Sequence, residues 1–299
     1  MQEKLEFLIA LAREKHFGRA AQICGVSQPN LSLAIKQLEN SLGVPLVDRG
    51  ARFFGFTAEG ERVLEWARRI VGDTRAMHAD IEMMKQGLTG HLRLAVVPTA
   101  LPIVSRLTAA FWQQHAGIKL TISSRTSTEV LSHLDNLEAD AGITYLDNEP
   151  VGRVNEVPLY RERYHLVTPV SGPFGDRQSV TWEEVATLPL CLLSPNMQNR
   201  RIIDHIFKEA GVSVDPILES DSLIALATHL KSGVWSSVMP RIVAEPLGFP
   251  PTIRTIPIVA PEASTLIGLV VSVRDPQPPL TAALINEVRR MAPELAAIA

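Results

Sequence analysis

The chain has 299 residues, 46% hydrophobic and 20% charged. This composition excludes a disordered or collagen-like protein, and the length calls for two or three separately cored domains. The formal net charge is −3, so the whole chain does not announce a nucleic-acid partner. The first 57 residues, however, carry seven Lys/Arg against five Asp/Glu, a local positive excess that permits DNA binding. No apolar run approaches the roughly 18 residues needed to span a bilayer. The opening Met1-Gln2-Glu3-Lys4 is not a basic-then-apolar leader, so a cytoplasmic protein is expected. Cys24 and Cys191 fall in different predicted domains. No disulfide framework is expected, which suits a reducing compartment.

In chain order, Leu5, Leu8, Ile9 and Ala12 repeat at helical spacing. A second helix follows Phe17-Gly18 and stops at Gly25, because glycine tolerates the left-handed turn that ends helices. Ser27 is placed to cap a third helix with Pro29 in its first turn. Leu31, Ile35, Leu38 and Leu42 form its core stripe, while Pro29, Ser32, Leu33 and Lys36 lie on the opposite face. Residues 46–56, with Arg49, Gly50 and Arg52, suit a short hairpin. Thr57 can cap a long helix over residues 58–86, in which Val63, Ala67, Ile70, Thr74, Met77, Ile81 and Met84 alternate at spacings of four and three. That is the seam of a two-stranded coiled coil, with Arg68, Arg69, Asp73, Arg75 and Asp80 expected on the other faces. Gly87 and Gly90 mark a hinge. Beyond it, strand patterns at 92–97, 119–123, 141–145, 164–169, 190–193, 217–219, 236–239 and 266–273 alternate with helix patterns at 103–115, 127–137, 201–210, 223–231 and 280–291. Such alternation predicts two lobes of parallel α/β units, with residues 246–261 as loops and a short strand.

The segment Ala20-Ala21, Gly25-Val26-Ser27-Gln28-Pro29, Leu31-Ser32, Leu38-Glu39, Leu42-Gly43-Val44-Pro45-Leu46, Arg49 and Thr57-Ala58-Glu59-Gly60 resembles the winged helix-turn-helix of LysR-type transcriptional regulators. Arg201-Ile202-Ile203-Asp204 with Phe207 and Ala210-Gly211 is similar to the same family. So is Asp221-Ser222-Leu223 leading to Gly233 and Val238-Met239-Pro240. The resemblance implies an α/β chain overall. A winged helix-turn-helix (1–57) is followed by a linker and dimerisation helix (58–86), a hinge (87–90) and a periplasmic-binding-protein-like effector domain. Lobe I of that domain is 91–163 with 267–299, and lobe II is 164–266. It further implies double-stranded DNA as partner, a dimer assembling to a tetramer, RNA polymerase downstream, a small-molecule effector in place of a cofactor, and no catalysis.

On this reading Ser27, Gln28, Pro29, Asn30, Ser32, Leu33 and Lys36 face the major groove, and Arg49 and Arg52 on the wing reach backbone or minor groove. The sequence departs from the family at Leu33, where arginine is usual, and at Gly233-Val234-Trp235, where Gly-x-Gly is usual. Ligands bind where strands end at the switch between lobes, which selects Thr99, Ala100, Ser127, Thr128, Thr144, Tyr145, Ser194, Asn196 and Met197. Hydroxyls and helix N-termini there suggest a small anion. Three other classes compete. A thiol-redox regulator of the same family would need a resolving partner for Cys191. An α/β enzyme would need a motif such as His-Glu-x-x-His or Gly-x-Ser-x-Gly, none of which occurs. A solute-binding protein would leave the first 90 residues unexplained. The eight histidines show no ligand spacing, so no metal is expected.

Overall fold

The computed structural model describes residues 1–49 and 53–298, excepting the side chains of Arg49 and Ile298. Three helices, α1 (Gln2–Glu14), α2 (Phe17–Ile23) and α3 (Gln28–Leu42), pack around Leu8, Leu11, Ala20, Leu31, Ile35 and Leu38, all fully buried. Local chemistry sets their ends. The His16 ring accepts a bond from Arg19 N–H at the start of α2, and Gly25 takes the left-handed conformation just after its end. Ser27 caps α3 by accepting from Asn30 N–H at 3.3 Å, with proline in the first turn, and Gly43 closes it in the left-handed region. Leu42, expected in the core stripe, is instead 44% exposed.

Strands β1 (Val47–Arg49) and β2 (Phe53–Phe56) form an antiparallel wing. The Glu39 carboxylate of α3 accepts from Leu46 N–H (2.9 Å) and Val47 N–H (3.3 Å), tying helix to wing. The long helix α4 (Ala58–Gln86) then starts at Thr57, whose hydroxyl accepts from Gly60 N–H and donates to the Pro45 carbonyl. Gly60 sits against the Leu46 carbonyl so closely that an added Cβ would lie 1.9 Å from its oxygen.

Beyond Gly87 and Gly90, both at positive φ, the chain builds its largest core. Parallel strands β3 (Gly90–Val96), β4 (Ile118–Ser124) and β5 (Ala141–Tyr145) alternate with α5 (Leu101–Gln114) and α6 (Ser127–Asp135). The strand β6 (Val154–Pro169) follows, then β7 (Val180–Thr181), α7 (Trp182–Val185), β8 (Cys191–Leu193), α8 (Gln198–Glu209), β9 (Leu218–Ser220) and α9 (Leu223–Lys231). The chain finishes with β10 (Ser237–Pro240), α10 (Arg241–Ala244), β11 (Ile253–Val259), β12 (Ser264–Ser272) and α11 (Pro279–Ile298). Among the described residues the main sheet runs β4-β3-β5-β12-β6-β11-β7, with β10 also on β6.

The sequence reading missed the length of β6. Its first half pairs antiparallel with β12 (Ser272↔Val154 to Ser264↔Arg163), and its second half with β10 and β11. One strand therefore runs through both lobes. The sheet is mixed rather than purely parallel, and Glu156, Arg161, Glu162 and Arg163 broke the apolar signal on which the prediction relied. The stretch expected to hold a short strand provides the seven residues of β11.

Helix α4 is docked on the sensing domain. Arg274, just past β12, pairs with Asp73 at 2.6 Å. Arg68 donates to Asn136 at 2.9 Å, Arg75 to the Leu137 carbonyl at 3.3 Å, and Arg13 of α1 meets Glu138 at 3.0 Å. The charges expected merely to cover α4 thus include its attachment to the effector domain.

Replacing Gly60 by alanine would push the wing off α4. We expect a loss of about 2 kcal/mol in thermal or denaturant unfolding of the N-terminal domain, and unchanged stability would refute this close packing.

Candidate nucleic-acid interface and ligand cleft

The third helix carries a free polar face. While Leu31, Ile35 and Leu38 hold it to the core, Ser27, Gln28, Pro29, Asn30 and Lys36 are exposed, Ser32 is half-buried and Leu33 is 55% exposed. The face begins at the helix N-terminus, whose backbone N–H groups and dipole favour phosphate. Leu33 therefore points outward, where it can meet thymine methyls. Arg49 ends β1, and Arg52 lies outside the described residues. Phe54 of β2, 76% exposed, was not singled out from sequence; an aromatic pair, Phe53-Phe54, within the expected hairpin was the available signal.

Helix α4 has two apolar faces. Gly60, Leu64, Ala67 and Val71 are buried within the chain, whereas Ile70, Met77, Ile81 and Met84 are 45%, 56%, 47% and 79% exposed. Ala67 is corrected as a pairing residue: it is fully buried in the N-terminal core and cannot reach a second chain. Val63 also leans on that core. Thr74 is partly buried and bonds back to the Ile70 carbonyl. The open stripe adds Trp66, 48% exposed.

Between the lobes lies an open cavity of about 360 Å³, lined by Ser127, Thr128, Asp135, Thr144, Tyr145, Glu149 and Gln198 among others. A smaller recess adjoins it, lined by Thr99, Met197 and Asn199 together with Ser127, Tyr145 and Gln198. Of the predicted effector residues, Thr99, Ser127, Thr128, Thr144, Tyr145 and Met197 come together here. Ala100, Ser194 and Asn196 do not line it. Ser127 is not the cap of α6, because Thr126 and Glu129 form a capping box there. The hydroxyl of Ser127 is left buried without a protein partner, as are Thr144 Oγ1, Gln198 Nε2 and Asn199 Nδ2. Gln198 and Asn199 escaped sequence reasoning, which stopped at the loop before α8; two amides opening a helix that buries its first turn were the overlooked signal. Trp235 packs half-buried against the hydrophobic core.

The electrostatics of the cleft do not favour an anion. Its lining includes Asp135 and Glu149 and no lysine or arginine. Nearby Arg200 is held by Asp204, Glu219 and the Leu193 carbonyl, and Arg201 by Glu149. Behind Tyr145, whose hydroxyl lies 2.7 Å from Thr99 Oγ1, sits the fully buried Glu162. Burial raises its pKa to about 8, against the nearby hydroxyls of Thr99, Tyr145 and Tyr160, which lower it. Neither cysteine is a poised nucleophile. Cys191 is buried with its thiol pushed up to about 11 by desolvation, and desolvation also raises Cys24. Among the described residues no group of three His, Cys, Asp or Glu could hold a metal ion, and no helix is long and apolar enough to cross a membrane.

The folded chain holds the Glu162 proton that the unfolded chain releases above the ordinary carboxylate range. The stability this confers is complete at low pH and lost as pH rises toward about 8. The melting temperature should therefore fall more steeply between about pH 5 and pH 8 in the natural protein than in Glu162→Gln; parallel slopes would contradict a neutral buried carboxyl.

Comparison with known proteins completes the picture. Residues 2–61 match the family described as "Bacterial regulatory helix-turn-helix protein, lysR family", and residues 85–293 match "LysR substrate binding domain". The chain is 28% identical over 267 residues to a "Hydrogen peroxide-inducible genes activator" of Escherichia coli O6:H1, covering 89% of this chain and 87% of the relative. Among solved structures, a full-length mutant OxyR from Pseudomonas aeruginosa superposes with a TM-score of 0.76 at 24% identity, covering 100% of this chain and 97% of that one. Full-length CbnR complexed with its target DNA superposes with a TM-score of 0.61 at 23% identity, covering 98% and 100%. At these identities the structural likeness is one of fold. Winged helix-turn-helix, long linker helix and two-lobed domain therefore occur in one chain with family matches on both sides of the linker, and the protein belongs to the LysR family of DNA-binding transcriptional regulators.

Proposed function

We propose that two copies pair through the exposed stripe Ile70, Met77, Ile81 and Met84 of α4 and present two α3 faces to successive major grooves. The observation that carries this is the exposed face of α3, capped by Ser27 and bearing Gln28, Asn30, Ser32, Leu33 and Lys36 on a helix whose other side buries Leu31, Ile35 and Leu38. Gln28, Asn30 and Ser32 suit base edges, and Lys36 suits a phosphate. Arg49 ends β1 of the wing, and backbone contact is expected of it and of Arg52. A dimer of such dimers would span a longer operator, with RNA polymerase as the downstream partner in the cytoplasm. A small molecule between the lobes biases the arrangement by binding one state better than another.

The peroxide response named for the Escherichia coli relative is a second reading. This chain is ill suited to sense peroxide through a thiolate, because Cys191 is fully buried with a raised pKa and the chain's other cysteine, Cys24, is in the N-terminal domain.

Genomic fragments selected by the purified protein should show a dyad-symmetric footprint whose affinity falls steeply with salt. Lys36→Ala should weaken binding on all sequences alike and reduce the salt slope by about 1. Selection of no site at low salt by folded protein would overturn the reading. Ile81→Asp should shift sedimentation toward monomer and weaken operator binding without lowering the melting temperature of the N-terminal domain; an unchanged assembly state would exclude this stripe as the seam.

A further inference from the structure

Resting on the reading of the cleft as the effector site, we propose that its ligand is an uncharged small molecule carrying both hydrogen-bond donors and acceptors, of the amide or polyol class, rather than a carboxylate. Four side-chain atoms from three elements carry the argument. Ser127 Oγ (start of α6), Thr144 Oγ1 (β5) and Gln198 Nε2 and Asn199 Nδ2 (start of α8) are buried without protein partners, on residues between 1% and 6% exposed. Buried polar groups left unpaired are costly, so such a cluster in one cleft marks a place where a partner is expected. The two hydroxyls donate or accept, and the two amide nitrogens donate. A ligand satisfying them presents acceptors toward α8 and either kind of group toward Ser127 and Thr144.

Charge decides against an acid. A carboxylate would enter beside Asp135 with no free guanidinium or ammonium in the lining, since Arg201 and Glu149 neutralise each other and Arg200 is engaged by Asp204 and Glu219. Its desolvation would go uncompensated. The donors that suggested an anion from the sequence are therefore present, but as neutral hydroxyls and amides in acidic surroundings.

The test uses the full-length protein and matched pairs of equal shape: propionamide against propionate, benzamide against benzoate, and glycerol against glycerate. Calorimetric titrations are run at pH 7 on the natural protein and on Thr144→Val and Gln198→Leu, each first checked for an unchanged melt. The neutral member should bind about tenfold or more tightly than its anion, and both substitutions should weaken it about tenfold. Tighter binding of the acid, sensitive to the same substitutions, would overturn the ligand class and leave the cleft standing. Binding insensitive to both substitutions would remove the effector from this cleft. If no neutral probe binds at any attainable concentration, the proposal fails.

Discussion

Helix α4 carries two apolar faces, and its sequence sets them on different sides. Gly60, Leu64, Ala67 and Val71 are spaced to pack on α1 and the wing, and all are buried. Rotated away from them, Ile70, Met77, Ile81 and Met84 leave a stripe that none of the described residues covers. A contiguous exposed apolar stripe of this kind is unusual on a solitary protein. Because one rigid helix bears both faces, the orientation of α3 relative to a paired copy is fixed by helix geometry alone. At 1.5 Å per residue α4 is about 40 Å long, so a small rotation at its C-terminal end is a large displacement at the wing.

The sensing domain grips this lever at defined points. Gly72 opens a notch in α4 that the Arg274 guanidinium fills; a Cβ there would lie 1.8 Å from it. Arg274 also pairs with Asp73 and follows directly on β12. β12 in turn pairs along the first half of β6, the strand that continues into the second lobe. A continuous covalent and hydrogen-bonded path thus joins the strand behind the cleft, through Glu162, to the helix that positions α3. Under the proposed function, a ligand that selects between two arrangements of the lobes would act on the α3 end along this path.

Much of this was legible in the sequence where the signal is local. Ser27, Pro29 and Gly43 predict the ends of α3 because capping is a property of single residues, and Thr57 predicts the start of α4 for the same reason. The heptad seam was read less well. Ala67 obeys the 4-3 spacing yet is buried in its own domain, since a helix flanked by two apolar surfaces satisfies the pattern with residues from either. The length of β6 was hidden by Glu156, Arg161, Glu162 and Arg163. Glu162 is the instructive case: a charged residue type in a central strand reads as a break, and only three-dimensional packing reveals it as a buried carboxyl among Tyr145, Tyr160 and Tyr164. The ligand cleft was located by topology, through Thr99, Ser127, Thr144 and Tyr145. Sequence displays the donors of that cleft but not the carboxylates of Asp135 and Glu149 that also line it.

If α4 pairs two copies as proposed, they act as one reader of DNA. The most direct measurement is the mass of the complex, by analytical ultracentrifugation, on a duplex with both halves of the selected operator and on one with a single half. The account predicts an even number of chains on the full site and a collapse of affinity on the half site. One chain bound to the half site as tightly as to the full site would contradict it.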